Sequence, residues 1–184
     1  MNFFFEDART FIKNCPRKYN LIIIDLFFAD GVPEHLTTVE FYHDLRNCLN
    51  KNGIIVSNSV GDFSNSNTLN SVLFTFNKIF EDIYYFYDKS YVQQSPLKVA
   101  NLYILATNNK DMLNSKIKIN NIPKSMRKKV FSILKNRNKF KIDNLNNKYL
   151  IYDEKNNYSR IFSKSMTTLR KTVSLSIPSR ILIN

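Results

Sequence analysis

Glycine is scarce in this chain. Its 184 residues include three, Gly31, Gly53 and Gly61, and these do not cluster. A loop whose backbone closes around a nucleotide draws on several glycines in a short span, because only glycine lets main chain approach a ligand that closely. No such loop can be assembled from these positions. Histidine is scarcer still. His35 and His43 are the only two, no Cys/His spacing suggests zinc, and no Ser-His-Asp arrangement can be argued. The two cysteines, Cys15 and Cys48, do not make a disulfide framework and read as reduced, buried thiols of a cytoplasmic protein. Long apolar runs are missing as well. The longest, around residues 21–24 and 83–87, are strand-sized, far short of the roughly 20 residues that span a bilayer. Neither a membrane span nor a signal peptide is expected.

What is present suits a compact domain. Apolar residues make up 43% of the chain, enough for a sizeable core. The net charge of +12 is unevenly placed: residues 1–108 carry −2 and residues 109–184 carry +14. A basic C-terminal part can serve a nucleic acid or an anionic surface, and residues 124–141 are the stretch that would do so. Lys, Asn and Ile are abundant throughout, however. That bias alone produces a basic tail, so nucleic-acid binding is not the favoured reading.

Strand and helix signals alternate up to residue 108. After a short apolar FFF at residues 3–5, EDARTFIKNC places Phe11, Ile12 and Cys15 on one helical face, and Pro16 stops it. NLIIID is a continuous apolar run, as for a strand covered on both faces. LTTVEFYHDLRNCLNKNG reads as a helix capped by Thr37 or Thr38, with Glu40 in capping-box reach, a stripe of Leu45, Cys48 and Leu49, and Gly53 at its end. IIVSNS is a strand. SNTLNSVLFTFNKIF is a helix facing inward through Leu69, Val72, Leu73, Phe76 and Phe80. DIYYFYD and ANLYILATN are further strands. The alternation predicts an α/β domain with a mainly parallel sheet over residues 1–108. Residues 109–122 read as a linker. Residues 123–184 read as a basic α+β extension, with a helix facing one way through Met126, Val130, Phe131 and Leu134, then short antiparallel strands turning at Asn156 and Asn157.

Residues EDARTFI, followed by KYNLIIIDLFFADGVPEHLTTVEFYHDLRNCLNKNGIIVSNS, resemble the spermidine synthase-like (polyamine aminopropyltransferase) branch of the S-adenosylmethionine-dependent transferases. The resemblance runs over about residues 3–108, and the spacing from Asp25 through Glu34 and Leu36 to Glu40, Phe41 and Tyr42 carries it. It implies a partial Rossmann-like methyltransferase sheet made of that fold's later strands and helices. It also implies a transferase of polyamine biosynthesis. Asp25 would accept a proton from the attacking amine or hold that amine in line, since a protonated amine is no nucleophile. Asp7, with Ala8 beside it, would contact the adenine of S-adenosylmethionine or its decarboxylated form. No metal is implied.

Two departures from the family pattern stand out. A second acid is expected three positions after Asp25, where Phe28 stands; Asp30, two positions late, is the substitute anchor for a polyamine or other small amine. The glycine-rich loop of the first strand and the ribose-binding acid of the second are missing, so the sequence is expected to begin at the fold's third strand. In the family's strand order, 3-2-1-4-5-7-6, NLIIID then becomes an exposed apolar edge. Another chain, in a homo- or hetero-oligomer, or the C-terminal segment of this one should cover it. Residues 149–171 bear a second, weaker resemblance to the family's opening hairpin. The expected activity is aminopropyl or methyl transfer by a domain incomplete on its own. The alternatives are a non-enzymatic subunit that completes another transferase chain, and a basic nucleic-acid-binding protein.

Overall fold

The structure, a computed structural model, describes residues 3–26, 32–109, 122–135, 138–140, 149–160, 162–163 and 167. Five strands form one sheet in the order β1-β2-β4-β3-β5: β1 is Tyr19–Ile24, β2 Leu49–Asp62, β3 Asp82–Phe86, β4 Val99–Thr107 and β5 Asn138–Phe140. Helices α1 (Ala8–Lys13), α2 (Val39–Asn47) and α3 (Ser66–Ile79) alternate with the first strands, and α4 (Lys89–Gln94) and α5 (Lys124–Lys135) follow. This is the α/β architecture the sequence predicts, with one correction. Only β1 and β2 pair in parallel, whereas β2–β4, β4–β3 and β3–β5 are antiparallel. Residues 87–98, which hold the six-residue α4 and turns, double the chain back, so β4 runs antiparallel to both of its neighbours, β2 and β3.

One face of the sheet is buried. Ile55 of β2, Leu102, Ile104 and Ala106 of β4 and Ile83 of β3 are fully enclosed, against Phe41, Leu45, Leu73, Phe76 and Phe80 from α2, α3 and the turn after it. Tyr42 stacks on Phe76 at 3.9 Å between ring centres. The helical stripe of α3 lies inward as its spacing predicts. Helix α2 starts where its cap predicts, with the Thr38 hydroxyl accepting the Phe41 amide at 3.2 Å.

Helix α2 ends earlier than the sequence suggests, at Asn47. The Cys48 carbonyl accepts the Tyr19 amide at 2.8 Å, so the chain turns directly into β2. Leu49 becomes the first residue of that strand and Gly53 lies inside it instead of closing the helix. Glu40 is not placed for a capping box, since with Thr38 as the cap the third helical position is Phe41; its carboxylate accepts the Asp153 amide at 3.1 Å instead.

Four other expectations change in three dimensions. Phe3, Phe4 and Phe5 form no strand and are 70%, 56% and 98% exposed. Cys15 and Cys48 are not reduced thiols: the fold brings their Cα atoms to 5.9 Å and joins the sulfurs in a disulfide. Met126 and Phe131 of α5 are each more than half exposed, so these two members of the expected stripe do not face a core. Residues 149–157 form turns, not paired strands, and lead into a helical turn at 158–160. This last segment is nevertheless part of the core. Leu150, Ile151, Tyr158 and Phe162 are all buried. The Ile151 carbonyl accepts the Val39 amide at 2.8 Å, and its amide reaches the Thr75 hydroxyl at 3.2 Å.

Candidate functional site

Strands β1 and β2 pair in parallel up to Ile24, opposite Ser57; β1 ends there and β2 runs on to Asp62. The carboxyl end of such strands is where α/β sheets place ligands. Asp25 is the first residue past β1 and is exposed there. Asn58, one residue beyond Ser57, donates from Nδ2 to Asp25 Oδ1 at 3.0 Å. The Asn58 side-chain oxygen, Oδ1, is shielded from solvent and has no hydrogen-bond partner. The exposed Asp25 carboxylate, held by the Asn58 amide, is an acceptor suited to an ammonium or amine N–H. Sequence reasoning found Asp25 and missed Asn58. IIVSNS holds it in plain view, but only the β1–β2 register puts it beside Asp25.

Asp7 occupies the position that caps α1. Its Oδ1 accepts the amides of Arg9 and Thr10 at 3.0 and 3.2 Å, and its Oδ2 lies 3.0 Å from His35 Nε2. The bond from His35, with the two amides, holds the Asp7 carboxyl below its ordinary range. Arg9 donates to the His35 carbonyl at 2.9 Å and to Asp153 through both guanidinium nitrogens. That pairing lowers the Asp153 carboxyl and raises the Arg9 guanidinium. Asp7 therefore belongs to a surface cluster that fastens residues 149–160 to the front of the domain. Asn156 and Ser159 extend the fastening, donating to the Glu34 carbonyl and carboxylate at 2.9 and 3.0 Å.

Ala8 begins α1 and lines an apolar cleft of about 370 Å³ together with Ile24, Leu26 and Phe41. The structure thus brings Ala8 to the same cleft as the residues flanking Asp25. Asp30 and Phe28 lie outside the described residues. His43 sits on the outer side of α2, 3.3 Å from the Asn47 amide nitrogen. A second cleft of about 400 Å³ opens beside Asn58's neighbours, lined by Val60, Asp88, Tyr91, Asn101 and Tyr103. Tyr103 faces Asn58 across the β2–β4 ladder. Tyr91 and Tyr103 are 50% and 44% exposed, so these rings are available to a ligand.

A nucleoside-type donor finds part of what it needs. Asp7 offers a carboxylate to an amino group, although His35 and two amides already engage it. The backbone cradle is the weaker part. Gly53 and Gly61 both lie within β2, and a Cβ there would already meet Leu49 Cδ2 at 2.9 Å and the Tyr19 carbonyl at 3.0 Å, or the Phe63 ring at 2.9 Å. Among the described residues no glycine opens a space for a ligand. The residues present fit the acceptor side of a transfer site better than the donor side.

Residues 1–116 match the family model for the spermine/spermidine synthase domain. The chain is similar to the polyamine aminopropyltransferase of Thermoplasma volcanium, 30% identical over 83 residues, covering 45% of this chain and 30% of the relative. It is similar also to that of Vibrio vulnificus, 34% identical over 83 residues, covering 44% and 27%. The chain thus spans about 30% of the length of the curated relatives it matches. The crystal structure of a probable spermidine synthase from Corynebacterium glutamicum superposes with a TM-score of 0.51 at 20% identity, over 62% of this chain and 40% of the other, which shows the Rossmann-like fold. By its sequence over residues 1–116, the chain belongs to the spermine/spermidine synthase family.

Proposed function

We propose that this chain carries the acceptor side of an aminopropyl- or methyl-transfer site. Asp25 accepts a proton from an amine substrate or holds the amine in line, and Asn58 orients the Asp25 carboxylate. The single observation behind this reading is the Asn58–Asp25 hydrogen bond where β1 ends beside β2, the only parallel strand pair among the described residues. Chemically, an amine is nucleophilic only when its lone pair is free, and a carboxylate beside it takes up the proton that the reaction releases. The acceptor is a polyamine or another small amine, with Asp30 as a second anionic anchor. The donor is S-adenosylmethionine or its decarboxylated form, contacted by Asp7 and Ala8, in a cytoplasmic setting.

The chain by itself does not complete the donor site in this reading. The support is the blocked Cβ positions of Gly53 and Gly61 and the prior engagement of Asp7. Titration calorimetry of the purified chain with each donor form tests it. Weak or undetectable binding is expected, and a clear micromolar dissociation constant for the monomer overturns the incompleteness. An Asp25→Asn variant then separates the roles. If activity appears with a completing partner, it should fall by about 10²-fold or more, the usual share of a general base. Undiminished turnover removes Asp25 from the chemistry.

A second reading has its own observation. The outer edge of β1 is apolar and, among the described residues, unpaired. A non-enzymatic subunit that completes another transferase chain would use such an edge. Mixing with a full-length relative and looking for a hetero-oligomer distinguishes it from the first.

A further inference from the structure

Strand β1 has β2 on one side and, among the described residues, no neighbour on the other. That outer edge is a template for strand addition, and a monomeric fold blunts such an edge with charge, proline or a bulge. From Leu21 to Ile24, β1 has neither charge nor proline, and its ladder with β2 is regular; the register shift falls earlier, between Tyr19 and Leu21. Both faces beside the edge are apolar. Leu21 and Ile23 are 51% and 67% exposed on one. On the other, Ile22 lines two adjoining clefts, of about 370 and 450 Å³, together with Phe4, Phe11 and Ile12.

We propose that the occupant of this edge is a second copy of the chain, its β1 paired antiparallel with the first across a twofold axis. Area is the first argument. Phe3 and Phe4 line the cleft beside Ile22. With the neighbouring Phe5, Leu21 and Ile23, they leave roughly 600 Å² of apolar side chain exposed, at about 200 Å² for a whole side chain. That equals the largest apolar patches of ordinary monomers, and two copies together offer about 1,200 Å², above the roughly 1,000 Å² of a specific interface. Self-complementarity is the second argument. An uncharged apolar strand set against itself brings no like charges together. The sheet's other edge supplies the third. That edge is β5, three residues long, Asn138–Phe140. Pairing β1 with β5 of the next copy makes half a ladder and an open head-to-tail array, whereas β1 against β1 uses the whole strand and closes.

Symmetry narrows the register. An axis relating two antiparallel neighbours runs perpendicular to their sheet, so each face of one copy continues as the same face of the other. Opposed residues must therefore share a face, and successive residues of a strand do not. With the axis at Ile22, inside the regular stretch, Leu21 lies opposite Ile23 of the second copy and Asn20 opposite its Ile24. The exposed Leu21 and Ile23 then pack on their counterparts, with Cβ atoms about 4.5–5.5 Å apart. On the other face, the clefts beside Ile22 meet across the axis. The two five-stranded sheets become one continuous sheet. Asp25 lies just past the paired stretch, so the inference stands apart from the transfer chemistry proposed above. It assigns the edge to a copy of this chain rather than to a different transferase.

Sedimentation velocity of the full chain tests the proposal, and a dimer is expected over about 1–100 μM, where association follows mass action. Ile23→Lys places a charge from each copy beside the axis and should weaken association about tenfold or more. Phe131→Lys, at a comparably exposed apolar position on α5, is the control and should change it by no more than about twofold. Ile22→Cys reads the register. Its two copies face each other across the axis at the separation of a cross-strand pair, which a disulfide spans. Mild oxidation should therefore link Ile22→Cys chains more completely than Leu21→Cys chains, although Leu21 is the more exposed position. Far-ultraviolet circular dichroism reports whether each variant is folded, and Leu21→Lys replaces Ile23→Lys if that variant is not. A monomer at every concentration overturns the proposal. So does a dimer that Ile23→Lys leaves intact or that Phe131→Lys also dissolves, since the contact then lies elsewhere. Linkage of Leu21→Cys equal to or above that of Ile22→Cys overturns it as well.

Discussion

Replacing Ile151 by alanine tests whether the segment after residue 148 is a structural part of the α/β unit or a passenger on it. Ile151 is fully buried and belongs to the same core cluster as Phe76 and Leu73. Its main chain is tied to α2 through Val39 and to α3 through Thr75, so alanine leaves those bonds in place and removes only side-chain carbons. Loss of buried Ile carbons without collapse of the site costs about 2–5 kcal/mol. Domains have about 5–15 kcal/mol of stability in all. With a urea slope of about 2 kcal/mol per molar, the unfolding midpoint should fall by roughly 1–2.5 M. Equilibrium urea unfolding, followed by far-ultraviolet circular dichroism, measures it. Lys155→Ala, in the exposed turn just beyond, is the control and should change stability by no more than about 0.5 kcal/mol. A change for Ile151→Ala as small as that of the control would refute the claim that residues 149–162 complete the core.

Gly53→Ala should destabilise by about 1–3 kcal/mol, because the new methyl meets the Tyr19 carbonyl at 3.0 Å beside the irregular start of the β1–β2 ladder; thermal unfolding reads it, and an unchanged midpoint would mean that the ladder has room. Acid should loosen the front of the domain. Arg9 holds Asp153 below its ordinary carboxylate value, so the stability from this pair is present above about pH 4 and is lost as pH falls through the lowered folded value. Half-exposure and solvent screening keep it to no more than about 1 kcal/mol. Asp153→Asn should remove that share of the acid sensitivity below pH 4, and a pH–stability curve parallel to wild type there would show that the pair contributes nothing.

Much of the α/β layout is legible in local pattern. The NLIIID run could only be a buried or edge strand of about this length, and Thr38 and the Val72, Leu73, Phe76 spacing specify α2 and α3 because caps and helical stripes are local signals. Asp25 was identifiable as a strand-end acid for the same reason. Asn58 was not, since one polar residue in IIVSNS looks like another until the register selects which one reaches Asp25. Asp7 was readable as a cap, but not its attachment to His35, or that of Arg9 to Asp153, whose partners lie 28 and 144 residues away.

Sequence by itself determined strands β1 to β4, helices α1 to α3 and their order, the family and the acid at the tip of the first strand, because each depends on neighbours within a turn or a strand's length; helix α4 between the DIYYFYD and ANLYILATN strands lay outside that reading. Only the tertiary structure decided the antiparallel turn-back of β4 and β3, the Cys15–Cys48 pairing, the exposure of Phe3, Phe4 and Phe5, and the burial of Ile151 in a segment that reads as polar. Each of these depends on which distant surface arrives opposite, and the free energy of burying a side chain is fixed by that surface rather than by the residues next to it in the chain.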